Sequence, residues 1–161
     1  NLEILNGQIS KATIDNHLGI QYTEVGDDYV RGTMPADKRT FQPYGVVHGG
    51  ANVVLAESLG SLAGAHVIDF SKNKCLGQEV SATHIRPVSS GLVTGTARPI
   101  HLGRRSQVWE IRLENDEGRS VWLPQIPDSS FRSSFHLETF IISLILQLPA
   151  TQFPPGNQDP P

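Results

Sequence analysis

A pair of glycines at positions 49 and 50 precedes a long run of residues that favour a helix. Backbone N–H groups are free at the start of a helix, so Gly49 and Gly50 can offer donors to an oxygen that gains negative charge during a reaction. Glu57 follows Gly50 by seven residues and Ser61 follows Glu57 by four, which places them on one helical face. The spacing therefore predicts carbonyl chemistry, with N–H donors at the helix start and a carboxylate two turns further on.

Each of these residues also has a purely structural interpretation. A Gly-Gly pair often marks the start of a helix, and a glutamate within a helix is most often a solvated surface residue. A carboxylate on a largely buried helix is costly, however, unless it is paired or used. From spacing alone, both interpretations of Glu57 stay open.

The helix that must position these residues is predicted over residues 49–67. Small residues along it would let the helix lie close on a sheet: Ala51, Ala56, Gly60 and Gly64. Residues 36–47 form the loop that leads into it, and this loop is long for a simple connection. We therefore expect the loop to contribute to the site.

The segments on both sides of this helix have the patterns of β-strands. Residues 20–25 and 29–34 flank the turn Gly26-Asp27-Asp28 and predict a hairpin, and weak helices are predicted before it at 2–9 and 11–18, the second ending at Gly19. Three further strands are predicted at 75–85, 92–100 and 106–114, and in the last of them Gln107, Trp109, Ile111 and Leu113 share one face. Hairpin, helix and strand meander predict an α+β domain, an antiparallel sheet wrapped on one long central helix.

Composition excludes several classes of function. The chain has 161 residues and a net charge of −3, with lysines and arginines scattered, so no nucleic-acid footprint is indicated. Cys75 is the single cysteine, which excludes an internal disulfide. The first residues lack a basic segment followed by an apolar core, and the apolar run at 136–148 is too short to span a membrane. We expect a cytoplasmic protein with no membrane or nucleic-acid partner.

Composition changes abruptly after Val121. Residues 122–161 contain seven of the eleven prolines and only one of the fifteen glycines. We therefore expect one domain over residues 1–121, and a Pro-rich, poorly ordered tail over 122–161.

Several linked motifs resemble the hotdog-fold acyl-CoA thioesterases. They are Gln42-Pro-x-Gly-x-x-His48-Gly49-Gly50, followed by Ala56-Glu57-x-x-Gly60-Ser61, and then Ala82-Thr-His84-x-Arg86-Pro87 and His101-Leu-Gly-Arg104. The resemblance covers about residues 13–121. It is closest to the subgroup that hydrolyses 4-hydroxybenzoyl-CoA and 1,4-dihydroxy-2-naphthoyl-CoA, within the phenylacetate-pathway thioesterase superfamily.

The resemblance implies a role for each residue of the first two motifs. Glu57 would be the catalytic carboxylate, which attacks the thioester carbonyl or activates water for the attack. Gln42 and the amides of Gly49 and Gly50 would polarise the thioester oxygen, with Gly50 the closest donor. His48 would orient the thioester or the leaving thiolate, and Ser61 would help to place water or substrate.

Substrate binding is implied by the later motifs. His84 and Arg86, late in a predicted strand, would lie beside the pantetheine arm of CoA, although they also fit a sheet-edge pair that satisfies itself. Two turns would meet the CoA nucleotide: Ser89, Ser90 and Gly91 in one, and His101, Gly103 and Arg104 in the other. Arg104 or Arg105 would suit a phosphate by charge and donor geometry.

The family acts without a cofactor, and the histidine spacings here fit no compact metal site, so we expect neither cofactor nor metal. The resemblance implies a homo-oligomer, a dimer with active sites across its interface and commonly a dimer of dimers, that is, a homotetramer. Hydrolysis of aromatic acyl-CoA to free acid and CoA is the leading function. Two alternatives are a non-catalytic acyl-CoA binding protein on the same fold and an acyl-CoA hydratase, which would need a paired His and Asp.

The chain departs from the family pattern after the Glu-Gly-Arg turn. Family members continue with a final strand inside the sheet, whereas this chain runs Ser120-Val-Trp-Leu-Pro124-Gln-Ile-Pro127. Proline cannot donate to a sheet ladder, so these residues are incompatible with a central strand. Our hypothesis is that the reading frame changed near residue 121 and that 122–161 is an out-of-frame product. Re-sequencing the locus tests this, and a clean read that reproduces the tail would rule out a sequencing error.

Overall fold

The computed structural model describes residues 1–9, 11–69, 73–84, 86–118 and 139–147. It contains one long helix and one six-stranded sheet. The helices are α1 (Leu2–Ile4), which continues as a π-helical turn (Leu5–Ile9), α2 (Ile14–Leu18) and α3 (Gly49–His66). The strands are β1 (Gln21–Val25), β2 (Val30–Pro35), β3 (Lys74–Ser81), β4 (Leu92–Leu102), β5 (Ser106–Asn115) and β6 (Thr139–Gln147).

The strand order across the sheet is β1-β2-β4-β5-β6-β3, with every neighbouring pair antiparallel. The predicted hairpin β1–β2 and the pair β4–β5 are both present. The predicted meander is wrong for β3, because the chain carries this strand to the far edge of the sheet, where it pairs with β6 instead of β4. One edge of β3 therefore faces no other strand of the sheet.

Helix α3 lies across one face of the sheet and confirms the helix predicted over residues 49–67. Leu55 and Leu59 on its inner face are fully buried. Leu59 packs over Gly32 of β2 and Gly95 of β4, where an added Cβ would come within 2.9 Å of its methyl groups. Glycine at these two sheet positions allows the close approach of helix and sheet. The resulting contact fixes the height of α3 above the strands.

The alternation of strand β5 is observed as predicted. Gln107, Trp109, Ile111 and Leu113 are all buried, and the residues between them face away from the core. Gln107 is a polar residue in this row, and its Oε1 accepts a hydrogen bond from the Trp109 indole at 3.0 Å. Gly19 ends α2 with a φ of 74°, the left-handed conformation that glycine adopts without strain.

Strand β6 lies within the tail that was expected to be poorly ordered. Residues 139–147 occupy the interior place between β5 and β3, and Ile142 and Leu144 are fully buried against α3 and the sheet. A later segment of the chain therefore fills the interior place of the sheet. The segment contains a run of apolar and β-branched residues without proline, which suits a buried strand. Pro124 and Pro127 lie outside the described residues, and the boundary at residue 121 stays a prediction.

Within the described ranges, no helix is long and apolar enough to cross a membrane.

Candidate active site

The first turn of α3 is capped by a histidine. His48 is the N-cap residue, and its Nδ1 accepts a hydrogen bond from the Gly50 N–H at 2.8 Å. This contact requires a ring that carries no proton on Nδ1. The Gly50 N–H was expected to be the closest donor to a substrate oxygen, but here it is already bonded. Gly49 N–H has no acceptor among the described residues, so it is the free donor at this helix end.

A cavity of about 310 Å³ opens beside this helix end, and we call it the donor pocket. Its lining residues are Gln42, Val46, Val47, Gly49, Asn52, His84, Arg86 and Pro87. Backbone hydrogen bonds hold the 36–47 loop against it, from Val47 N–H to Val88 O at 2.8 Å and from His48 N–H to Thr40 O at 2.7 Å. The loop is thus part of the site, as its length suggested.

His84 and Arg86 line the donor pocket, although β3 ends at Ser81 and they do not belong to a strand. His84 lies so close to Gly49 that an added Cβ would be 2.8 Å from its Nε2. Burial, and then the charge of nearby His48, lower the pKa of His84. A neutral His84 and a cationic Arg86 therefore face the helix start.

Glu57 opens into a second cavity of about 370 Å³, between α3 and β3, which we call the carboxylate pocket. It is lined by Ile14, Val53, Val54, Glu57, Ser58, Gly77, Gln78, Glu79 and Val80. Ser61 Oγ donates to Glu57 Oε1 at 3.5 Å, while Oε2 is shielded from solvent and has no partner among the described residues. Burial raises the pKa of Glu57, and the bond from Ser61 opposes this shift. The carboxylate is thus more basic than an exposed glutamate.

Gly77 makes room for this carboxylate. An added Cβ at Gly77 would overlap Glu57 Oε1, so only glycine lets the side chain rest against β3 in this position. The pairing of β3 with β6 shifts register between Gly77 and Glu79, as in a β-bulge. Bulges are common beside active sites, where they redirect the strand. Strand β3 therefore accommodates the Glu57 carboxylate through a glycine and an adjacent irregularity in its pairing.

The two pockets share no lining residue. Gly50 and Glu57 lie on one helical face, as predicted, but seven residues separate them by about 10 Å along the helix axis. One carbonyl group cannot contact the helix-start donors and Glu57 at the same time within one chain. The motif residues are adjacent in sequence, yet the chain places them in two half-sites.

The two turns expected to bind the CoA nucleotide are also far apart. Gly91 precedes β4 and His101 lies near its end, so about ten residues of strand, roughly 33 Å, separate them. A bond from Ala36 N–H to Gly91 O at 2.8 Å ties the turn at 89–91 to the start of the 36–47 loop. His101, Gly103, Arg104, Arg105 and Ser106 line a separate open cavity. Within one chain the two turns therefore lie apart, and their binding of the CoA nucleotide stays a prediction.

The sequence interpretation missed two groups beside these pockets. Asn52 lines the donor pocket and is only 5% exposed, and its Oδ1 has no hydrogen-bond partner in the described structure. Asp15 of α2 accepts hydrogen bonds from Ser58 at 2.5 Å and from Tyr22 at 2.7 Å, next to Glu57. An asparagine in the first turns of an otherwise apolar helix face was the available signal for the first group. No sequence signal pointed to Asp15, because its hydrogen bond with Ser58 joins residues that are 43 positions apart.

Within the part of the chain that the structure describes, no three His, Cys, Asp or Glu side chains are grouped to hold a metal ion.

Comparison with known proteins places the chain among thioesterases. Residues 44–121 match the thioesterase superfamily. The chain is 50% identical over 119 residues to the proofreading thioesterase EntH of Cronobacter turicensis, a match that covers 73% of this chain and 85% of that protein. It is also 50% identical over 118 residues to the putative esterase PA1618 of Pseudomonas aeruginosa, with 73% and 81% covered.

Solved structures agree with the fold. A mutant of thioesterase PA1618 from Pseudomonas aeruginosa superimposes with a TM-score of 0.79 at 40% identity, covering 92% of this chain and 94% of that chain. Thioesterase HI1161 from Haemophilus influenzae gives a TM-score of 0.78 at 38% identity, with 92% and 91% covered. The antiparallel sheet around one long helix is the hotdog fold that the sequence motifs predicted.

Proposed function

This chain belongs to the thioesterase superfamily and is a thioester hydrolase, and we propose that its substrates are aromatic acyl-CoA thioesters, cleaved with Glu57 as the catalytic carboxylate. One observation carries the assignment of Glu57. Its carboxylate is half-buried in an open pocket, with one oxygen bonded to Ser61 and the other without a partner in the described part of the chain. An unpartnered oxygen of raised basicity is available to attack a carbonyl carbon or to deprotonate water.

The reaction needs a carboxylate on one side of the thioester and donors on the other. If Glu57 attacks, its oxygen forms a mixed anhydride, the carbon–sulfur bond breaks, and CoA leaves as a thiolate. Water then hydrolyses the anhydride and restores the carboxylate. If Glu57 acts as a base, it removes a proton from water as the water attacks the carbonyl carbon; the carbon–sulfur bond then breaks, and the leaving thiolate takes the proton from Glu57. In both routes Gly49 N–H and the Gln42 side chain stabilise the negative charge on the carbonyl oxygen.

The separation of the two half-sites supports a site built from two chains. The edge strand β3 borders the carboxylate pocket, and one of its edges has no neighbour among the described strands, which suits pairing with a second copy. We assign the complete site to a homodimer in which one subunit supplies Glu57 and the other supplies Gln42 and Gly49. Association of two dimers into a tetramer remains part of this proposal.

The acyl group is assigned to the carboxylate pocket because its walls are mainly apolar, with Val53, Val54 and Val80 around Glu57. A flat aromatic acyl group would fit between such a helix and strand. Tyr44, which the sequence suggested as an aromatic contact, is 88% exposed and lines neither pocket. The pantetheine arm is assigned to the donor pocket, beside His84, Arg86 and the turn at 89–91.

Active-site complementation tests this function. Release of free thiol is measured from a panel of aromatic and aliphatic acyl-CoAs, first for the wild type and then for two variants. We expect Glu57→Ala to lose about 10³-fold of activity because the catalytic carboxylate is gone. We expect Gln42→Ala to lose about 10²-fold because one donor to the carbonyl oxygen is gone. Glu79→Gln, which removes an exposed carboxylate from the same pocket, is the control and should retain activity.

Co-expression of the two inactive chains with different tags gives the decisive result. A mixed dimer contains one site with both residues intact and one with neither, so random pairing restores about a quarter of wild-type activity. Pairing Glu57→Ala with Glu57→Gln restores nothing and serves as the matched control. Absence of recovery in verified mixed dimers would contradict the two-chain site. A wild type inactive on every acyl-CoA would contradict the substrate class.

A further inference from the structure

Asn52 is a buried polar residue that the catalytic roles above do not use. It lies in the first turns of α3, where its backbone N–H donates to His48 O at 3.3 Å, and its neighbours Ala51, Leu55 and Ala56 are buried. The side chain is 5% exposed, and its Oδ1 has no hydrogen-bond partner among the described residues. Buried amide groups are almost always paired in folded proteins.

Stability does not explain this residue. A leucine has nearly the shape of an asparagine and would fill the same space without an unpaired polar group. The described residues of the isolated chain therefore provide nothing that offsets the cost of burying this amide oxygen. Because Asn52 lines the donor pocket, a ligand in that pocket can supply the missing partner.

The unpaired atom defines the chemistry of this partner. An amide oxygen accepts hydrogen bonds, so the ligand must offer an N–H or O–H group. The thioester carbonyl oxygen has no hydrogen and cannot fill this role. In every acyl-CoA, the first donor beyond the sulfur is the amide N–H of the cysteamine unit, two methylene groups further along the pantetheine arm.

The position of Asn52 suits this donor. Gly49 N–H is the free donor assigned to the carbonyl oxygen, and Asn52 lies three residues later, about 4.5 Å further along the helix axis. We infer that Asn52 Oδ1 accepts a hydrogen bond from the cysteamine amide N–H and so selects thioesters that carry an amide at this distance from the sulfur. This assignment rests on the proposed function, because it takes the donor pocket as the place of the pantetheine arm.

Two synthetic substrates isolate this single hydrogen bond. The benzoyl thioester of N-acetylcysteamine carries the amide, and the benzoyl thioester of 2-mercaptoethyl acetate replaces its N–H by an ester oxygen. We expect the wild type to prefer the amide substrate by about tenfold in kcat/KM, mainly through KM, because one hydrogen bond to a buried acceptor is lost. Where turnover is slow, non-hydrolysable thioether forms of the pair are compared as competitive inhibitors of acyl-CoA hydrolysis.

Two nearly isosteric variants complete the test. Asn52→Leu removes the acceptor and should bring the preference close to one, by losing activity on the amide substrate only. Asn52→Asp keeps oxygen acceptors and should keep the preference. Circular dichroism and melting temperature establish that both variants fold, and Asn52→Leu should melt no lower than the wild type.

The outcomes separate this inference from the proposed function. Hydrolysis of benzoyl-CoA by the wild type, with no preference between the paired substrates or with the preference retained in Asn52→Leu, overturns the role of Asn52 alone. Equal loss on both substrates in Asn52→Leu shows a structural role or an ordered water and also overturns it. A wild type that hydrolyses no acyl-CoA overturns both assignments.

Discussion

The donor pocket and the carboxylate pocket both lie beside helix α3, but their lining residues differ in charge and polarity. The donor pocket contains the cation Arg86, the neutral His84 and the free N–H of Gly49, and no acidic residue lines it in the described structure. The carboxylate pocket is mainly apolar, contains Glu57, and has no basic residue among its described lining. The donor pocket therefore offers hydrogen-bond donors and a cation without a carboxylate, and the carboxylate pocket offers Glu57 without a cation among the described lining residues.

This separation has a consequence for the reactivity of Glu57. A cation near a carboxylate lowers its pKa and weakens it as a base or nucleophile. Glu57 instead lies among apolar side chains, where burial raises its pKa. Arg86 and Glu57 line different pockets of one chain, so this cation does not offset the effect of burial on the pKa of the carboxylate there. Four substitutions test this difference between the two pockets.

Substitution of Gly77 by alanine should have the largest effect. The new Cβ would overlap Glu57 Oε1, which is the end of a flexible side chain, so the carboxylate moves while the fold persists. Because small displacements of a catalytic group are costly, we expect kcat to fall by about 10- to 100-fold in the thiol-release assay. Gln78→Ala, on the same bulge, should change activity little. Wild-type kcat in Gly77→Ala would show that Glu57 does not need this position.

The pH dependence of kcat/KM should report the ionisation of Glu57. Only the ionised carboxylate is active, so the rate falls tenfold per pH unit below its pKa. Burial raises that pKa, which places the acid limb above the usual range for glutamate. The Ser61 hydrogen bond opposes the shift, so Ser61→Ala should move the limb to still higher pH. A limb that moves to lower pH in this variant would contradict the assignment.

The raised pKa of Glu57 also makes the folded protein less stable at neutral pH, where the carboxylate is ionised. A carboxyl group with a raised pKa in the folded state stabilises the protein while it is protonated, and this contribution is lost as pH rises through the folded-state pKa. Glu57→Gln should therefore melt a few degrees higher than the wild type at neutral pH, with the gain vanishing below the pKa of an unfolded glutamate. Equal melting temperatures at neutral pH would show that Glu57 is not strained by burial.

Substitution of Asp15 by asparagine should have the smallest effect on activity. Asp15 accepts hydrogen bonds from Ser58 and Tyr22 and so ties α2 to α3 and β1. Loss of the charge weakens both bonds, and we expect the free energy of unfolding to fall by about 1–2 kcal/mol in urea titrations. Activity should change less than about threefold, since Asp15 reaches the carboxylate pocket only through Ser58 and does not line it. Asp27→Asn, in the exposed hairpin turn, is the control, and a larger loss of kcat in Asp15→Asn would give Asp15 a role in placing Glu57.

Elements set by local pattern were predictable. The period of two in β5 identified its buried face, and the glycine pair and small residues identified α3 to within one residue. The order of the strands was not predictable, because no local sequence pattern determines that β3 lies at the far edge of the sheet. Strand β6 was missed because the composition of the whole tail obscured one apolar run at 139–147.

The arrangement of the candidate site was likewise only partly predictable from the sequence. Spacing was enough to place Gly49 and Glu57 on one helix, whereas the thioesterase prediction for Gln42, Gly49 and Glu57 came from the resemblance of several linked motifs to a known family. Tertiary structure alone decided that the helix-start donors and the carboxylate open into separate pockets, and that His48 accepts the Gly50 N–H. It also decided that Asn52 is buried with its Oδ1 unpaired among the described residues. The reason is physical: helical period depends on neighbours in sequence, whereas burial and pairing depend on chain segments that only the folded state brings together.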